Sequence, residues 1–251
     1  MFRPTNFPLL VFGLSLVVLW GAVQVGVWSA HRLEDVREDF GIVVTATLTL
    51  LSLILGFTFT MAVGRYDQRK LYEEEEANAI GTEYVRADLL PSSSDAENVR
   101  RLLREYLDQR ILYYQTQDRT ALRQIDISTG RLQKQLWAAV RTASAPQQTP
   151  VAALAVSGMN DVLNSQSYTQ AAWLNRIPPP AWALVAIISL AANGMVGALW
   201  RRGRSMGLLS GILPLIVSLS LVLIADIDSP RGGLIPVRPV GLISLAASLR
   251  P

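Results

Sequence analysis

Four long apolar runs constrain the fold of this sequence more than any other feature. They cover residues 7–28, 40–63, 181–200 and 207–225, and none contains a charged side chain. About 20 apolar residues in a helix cross roughly 30 Å of hydrocarbon. Half of the residues are hydrophobic and only 17% are charged, which is unusually apolar for a soluble domain. The sequence therefore predicts an all-α integral membrane protein with four transmembrane helices in two pairs.

The first run is predicted to be a span rather than a secretory signal. Its apolar stretch is long for a signal peptide, and Trp28-Ser29-Ala30 is a poor cleavage site.

The spans divide the chain into four predicted parts. Residues 1–63 form the first transmembrane pair, and residues 64–179 form a helical extramembrane region. Residues 180–225 form the second transmembrane pair, and residues 226–251 form a polar C-terminal tail.

The middle region has the patterns of helices. Ser94-Asp95-Ala96-Glu97 is a candidate capping box, in which the serine caps an amide and the glutamate reaches back. Apolar residues then recur at helical spacing, which predicts a helix with one buried face: Val99, Leu102, Leu103, Tyr106 and Leu107.

Composition excludes several kinds of function. The chain has no cysteine and a single histidine, His31, so we expect no disulfide, no thiolate metal site and no zinc site. No phosphate-binding glycine loop or nucleophile elbow is present, so we expect neither an enzyme nor a cofactor. Residues 64–179 hold 14 basic and 14 acidic residues, so the net charge of +3 comes from loops and tails. This basic charge indicates membrane anchoring rather than nucleic-acid binding.

An acidic run, Glu73 to Glu76, is the one candidate for binding a divalent ion. Consecutive residues on a helix point in different directions. The run is therefore predicted to be a solvated face or the wall of a vestibule, with no metal bound.

The second span and the residues after it share one helical face. Thr49, Leu53 and Phe57 recur at four-residue spacing. The face continues through polar and acidic positions: Thr60, Gly64, Asp67, Leu71, Glu74 or Glu75, and Asn78. Two bulky apolar side chains followed by carboxylates suit a narrow constriction that opens into a charged vestibule.

A plainer interpretation of this span remains open. Its hydroxyls can bond their own backbone four residues back or pack between helices: Thr45, Thr47, Thr49, Ser52, Thr58 and Thr60.

Several segments carry a resemblance to a known family. Leu55-Gly56-Phe57, the following Thr60 and Arg65-Tyr66 resemble the pore-helix signature of bestrophin channels. Three further segments resemble the bacterial bestrophin-like family of membrane proteins, and with them the resemblance covers nearly the whole chain: residues 76–81 (EANAIG), 86–91 (RADLLP) and 226–235 (DIDSPRGGLI).

This resemblance implies a homopentamer with five copies of the second span around the axis. Its pore-helix motif is Leu55, Gly56, Phe57 and Arg65, and its neck falls on Thr49, Leu53 and Phe57. Thr49 is more polar than the residue type that the family places in the neck. The vestibule candidates on the same helical face are Asp67, Glu74, Glu75 and Asn78.

Animal bestrophins carry an acidic calcium-binding cluster after the fourth span. This chain has only Asp226 and Asp228 there, so the resemblance does not imply calcium gating.

These features predict an oligomeric bestrophin-like ion channel. Because no span carries a charge, an ion needs a wet path between subunits, and proton-coupled transport or voltage sensing is not expected. The expected partners are other copies of the chain, the lipid bilayer and small permeating ions. The acidic vestibule favours cations, whereas animal bestrophins conduct anions. A membrane-anchored interaction or sensor protein without a pore is the alternative.

The orientation signals disagree. The short basic loop Arg201-Arg202-Gly203-Arg204 is typical of a cytoplasmic loop. The resemblance instead implies that residues 64–179 are cytoplasmic. We predict a multi-pass protein of the cell membrane whose middle region is cytoplasmic.

Overall fold

A computed structural model describes residues 8–30, 37–146, 149–199 and 209–250. Every regular secondary-structure element in these ranges is a helix, which confirms the all-α prediction. The α-helices are α1 (Pro8–Ser29), α2 (Arg37–Arg86), α3 (Ser93–Gln115), α4 (Arg119–Ser144), α5 (Pro150–Leu174), α6 (Pro179–Ala198), α7 (Leu209–Asp228) and α8 (Val240–Ser248). A single-turn 3-10 helix, Ala87–Leu89, follows α2.

Four helical segments are long and apolar enough to cross a membrane. They are Leu9–Ser29, Phe40–Leu89, Pro150–Ala198 and Ser210–Asp228. Each segment overlaps one of the four predicted spans and covers all of its described part except at most one terminal residue. The second lies on α2, whose 50 residues are more than twice the ~20 that a span needs.

The chain forms two compact units. The membrane unit comprises Met1–Tyr66 and Arg176–Pro236, and the helical unit comprises Asp67–Asn175 and Val237–Pro251. The predicted tail 226–251 is divided between them. Its second part is not polar throughout, because α8 has the apolar sequence VGLISLAAS.

In the membrane unit, α1 and α6 pack backbone against backbone. A Cβ at Gly26 would overlap the carbonyl oxygen of Gly194, and a Cβ at Gly197 would overlap the carbonyl oxygen of Val23. Glycines allow this approach, which is a common way for membrane helices to associate. A buried apolar cluster joins α2 and α7 to the same bundle: Leu19, Leu51, Val185, Ala192, Val217 and Leu221.

In the helical unit, the predicted apolar face of α3 is buried. Its five positions are at most 5% exposed: Val99, Leu102, Leu103, Tyr106 and Leu107. The prediction that Ser94 caps α3 is wrong, because the helix begins two residues earlier than predicted. Ser92 is the cap, and its hydroxyl accepts the amide hydrogen of Asp95 at 3.5 Å.

Candidate functional site

The predicted neck residues lie on an exposed face of α2 in the membrane unit. Leu53 is 52% exposed, Phe57 is 63% exposed, and Thr49 is exposed beside them. We call Thr49, Leu53 and Phe57 the neck face. Large apolar side chains on this face are free to contact lipid or another chain.

The opposite side of the same segment is packed inside the membrane unit. Leu51, Thr58 and Ala62 are at most 5% exposed. Ala62 belongs to a second buried cluster with Ile177, Ile224 and Ile227. This packing sets the rotation of α2 and leaves the neck face outward.

The hydroxyls of the span bond their own helix. The hydroxyl of Thr49 donates to the carbonyl of Thr45 at 2.9 Å, and five other hydroxyls do the same to the carbonyl four residues earlier: Thr45, Thr47, Ser52, Thr58 and Thr60. The plainer interpretation therefore accounts for these hydroxyls. The prediction of a neck then depends on the two apolar side chains, Leu53 and Phe57.

The residues of the predicted pore-helix motif differ in exposure. Leu55 and Arg65 are half-buried, and Leu55 packs against both apolar clusters of the membrane unit. Gly56 is exposed, and a Cβ there would meet nothing within 4 Å. Contacts within one described chain therefore do not require a glycine at this position.

In the helical unit, the predicted vestibule residues are all exposed. They are Asp67, Glu74, Glu75 and Asn78, and we call them the acidic face. Glu73 and Glu76, from the same acidic run, are buried. The described residues contain no group of three or more acidic, histidine or cysteine side chains placed to hold a metal ion.

Glu76 is held by a buried ion pair. Its carboxylate accepts from the Nε of Arg110 on α3, and Nη2 of Arg110 lies 3.3 Å from Oε2. The hydroxyl of Thr169 on α5 donates to Oε2 at 3.0 Å. Neither charged side chain is exposed, and the guanidinium of Arg110 also lies 4.5 Å from the ring centre of Tyr113.

Glu73 binds the first turn of α8. Its Oε1 accepts the amide hydrogen of Leu242 at 2.8 Å, so a carboxylate meets the positive end of the helix. Burial raises the pKa of Glu73 above its usual value, and the amide hydrogen bonds from Leu242 and Gly241 oppose that rise. Glu73 therefore attaches α8 to α2.

The cations near the acidic face differ in exposure. Arg69 is buried, and its guanidinium donates to the carbonyl oxygens of Ala172 at 3.2 Å and Asn175 at 3.0 Å. Lys70 is exposed. Arg69 therefore binds backbone carbonyls inside the helical unit. Of these two cations, only Lys70 is open to solvent.

The two aspartates after the fourth predicted span accept hydrogen bonds from backbone amides. Oδ1 and Oδ2 of Asp226 accept from the amides of Leu234 and Ile235 at 2.7 and 3.0 Å. Gly233, directly before Leu234, has a φ of 104°, which residues other than glycine rarely adopt. Oδ1 of Asp228 accepts from the amide of Ile177 at 3.1 Å.

The basic loop Arg201-Arg202-Gly203-Arg204 and His31 lie outside the described residues. The structure therefore adds nothing to the orientation signal of that loop.

Reasoning from the sequence missed the buried partners of α2. Arg110 continues the buried face of α3, four residues after Tyr106, and that spacing is the one available signal. Nothing in the local sequence shows that Glu73 meets α8.

Together these features define a class, a multi-pass helical membrane protein with one long helix exposed along a single face. The sequence matches the Bestrophin-like domain over residues 9–242. The chain therefore belongs to the bestrophin-like family, whose members include ion channels.

Solved structures of similar fold include those of a bacterial bestrophin homolog from Klebsiella pneumoniae. One, a single-residue variant, has a TM-score of 0.65 at 11% identity and covers 95% of this chain and 96% of its own. Another has a TM-score of 0.62 at 12% identity and covers 94% of each chain. Comparison with curated proteins gives no match.

The ion pair gives a first prediction about stability. Replacing Glu76 by Gln leaves the buried charge of Arg110 unpaired, so we expect Glu76→Gln to lower the free energy of unfolding by about 3 kcal/mol or more. Glu75→Gln, one residue away and exposed, should change it little. Denaturant unfolding in detergent, followed by tryptophan fluorescence, checks this. Equal losses in the two variants would contradict the role of the pair.

Proposed function

We propose that the protein is a homopentameric ion channel in which the second spans of five subunits surround the pore. One observation carries this proposal: the neck face is exposed and apolar, while the opposite side of the same helix is packed inside its own unit. In an oligomer, five copies of Leu53 and Phe57 would form an apolar ring, and such rings gate pores by excluding water.

The acidic face supports the same arrangement. The helical period places Asp67 about five turns after Thr49 on one side of α2, and Glu74 about 20° from Asp67. These carboxylates lie outside the predicted span, in the helical unit, where water solvates them. In a ring of subunits they would line an aqueous vestibule beyond the neck.

The spans explain why the path must lie between subunits. Moving an ion into a medium of low dielectric constant costs on the order of tens of kcal/mol in the idealised Born limit. No predicted span offers a charged side chain to offset that cost. A single subunit therefore provides no ion path, whereas a ring of subunits encloses one.

For the orientation we propose that residues 64–179 are cytoplasmic, on the strength of the family resemblance. The acidic face would then line the cytoplasmic entrance. A membrane-anchored interaction protein without a pore is the competing proposal, and purified protein that carries no current in bilayers would favour it.

The neck face generates a prediction about conductance. Leu53→Ala and Phe57→Ala widen and wet the constriction, so we expect conductance or open probability to rise severalfold in planar-bilayer recordings of purified protein. Ile187→Ala on α6 is a matched control, because Ile187 is also apolar and 63% exposed in the membrane unit. Increases of the same size in all three variants would show that the neck is assigned to the wrong face.

The acidic face generates a prediction about selectivity. Five copies of Glu74 and Glu75 form a ring of negative potential that enriches cations, so we propose that the channel prefers cations. In asymmetric salt, Glu74→Gln combined with Glu75→Gln should move the reversal potential away from the cation equilibrium potential. The shift should shrink at high salt, where charges are screened.

Asp126→Asn is the control for selectivity, because it removes an exposed negative charge from α4 instead of α2. It should leave the reversal potential unchanged. An anion-directed reversal potential that is the same in wild type and in the Glu74 and Glu75 double variant would contradict the proposal.

A further inference from the structure

One buried acid on α2 has no role in the features above. Glu83 lies in the helical unit, and its side chain is completely buried. Neither carboxyl oxygen has a hydrogen-bond partner among the described residues. Burying a polar group without a partner is costly, and burying it charged costs far more.

The Glu83 carboxyl lies against a glycine of α5. A Cβ at Gly158 would overlap the carboxyl oxygen of Glu83 and lie close to the guanidinium of Arg86. Glycine in the interior of a helix is unfavourable relative to alanine. The missing side chain at Gly158 provides the space in which Glu83 packs between α2 and α5.

Few charges act on this carboxyl. Arg86 is one turn further along α2, and its Nη1 lies 4.0 Å from the carboxylate of Asp161 on α5. Asp88, in the 3-10 turn, is paired with Arg100 of α3. Burial raises the pKa of Glu83 to about 8; Arg86 lowers this pKa and Asp161 raises it. Glu83 is therefore mainly protonated and neutral at pH 7.

We propose that Glu83 is a proton-binding site that latches α2 to α5 at Gly158. With the proton bound, the neutral carboxyl stays packed in the dry contact. After the proton leaves to water, the carboxylate needs solvent, because neither of its oxygens has a hydrogen-bond partner in the packed contact. Entry of solvent separates α5 from α2 at this point.

The direction of the pH effect follows from linkage. A carboxyl exposed to water has its usual pKa of 4.5, whereas the packed carboxyl has a pKa of about 8. Between these two values the packed state binds a proton that the open state has lost. Opening therefore becomes more favourable by about tenfold per pH unit across this window and levels off above it.

Because α2 is also the proposed pore helix, the latch makes conduction sensitive to pH. That consequence rests on the proposed function, whereas the latch itself does not.

Amide hydrogen exchange of the full chain in detergent tests the latch. After correction for intrinsic rates, protection of α5 relative to α3 should fall in wild type as pH rises from about 5 to 8. Glu83→Gln cannot ionise and should keep α5 protected throughout. Glu75→Gln, the exposed control on α2, should follow wild type. Protection that is flat in wild type, or that falls equally in Glu83→Gln, would overturn the proposal.

A second variant is available at an exposed position, where folding is not at risk. Asp161 has a 62% exposed side chain. Asp161→Asn removes a negative charge and releases Arg86, so the upper end of the pH window should move to lower pH. If the upper end of the pH window stays in place or moves to higher pH, the proposal is overturned. If the protection of α5 depends on pH in a protein that carries no current, the channel function is refuted and the proposal about Glu83 is not.

Discussion

The buried ion pair between Glu76 and Arg110 is the contact on which the orientation of the acidic face depends. A paired charge in a dry interior allows few arrangements, because any rotation of α2 would leave both groups unpaired and far from water. With Glu76 turned inward, the helical period turns Glu74 and Asp67 outward. The pair therefore determines which carboxylates of the acidic run are open to solvent.

Much of the fold is visible in the sequence because its signals are long and repetitive. Uncharged apolar runs of about 20 residues predict spans, and the spacing of Val99, Leu103 and Tyr106 predicts the buried face of α3. Single polar contacts are harder to predict. Ser92, Ser93 and Ser94 follow one another in the sequence, and only the backbone shows that Ser92 is the cap of α3.

The candidate site is predictable only in part, for a physical reason. Helical spacing places Leu53 and Phe57 on one face, but it does not show whether that face is inward or outward. The answer depends on partners distant in sequence, such as Ile224 against Ala62 and Ala172 against Arg69. Such contacts leave no local pattern, and for that reason Glu73 and Glu76 could not be told from Glu74 and Glu75.

The similarity to the Klebsiella pneumoniae structures shows how little sequence identity this fold requires. At 11% identity the fold is retained over 95% of the chain. Apolar runs of the right length and close contacts such as Gly26 against Gly194 can be kept while most side chains change. A shared fold does not set ion preference, which we propose depends on a few positions on α2.

The central claim is that the exposed face of α2 surrounds the axis of a five-fold oligomer. The absence of cysteine makes it testable by dipolar spectroscopy on one spin label at Asn78→Cys. Cyclic five-fold symmetry predicts two distances in a ratio of about 1.6. Each should be shorter than the corresponding distance from a label at Asp126→Cys, an exposed position on α4 of the same unit. No dipolar distance at all, a single distance, or shorter distances from Asp126→Cys would contradict the account.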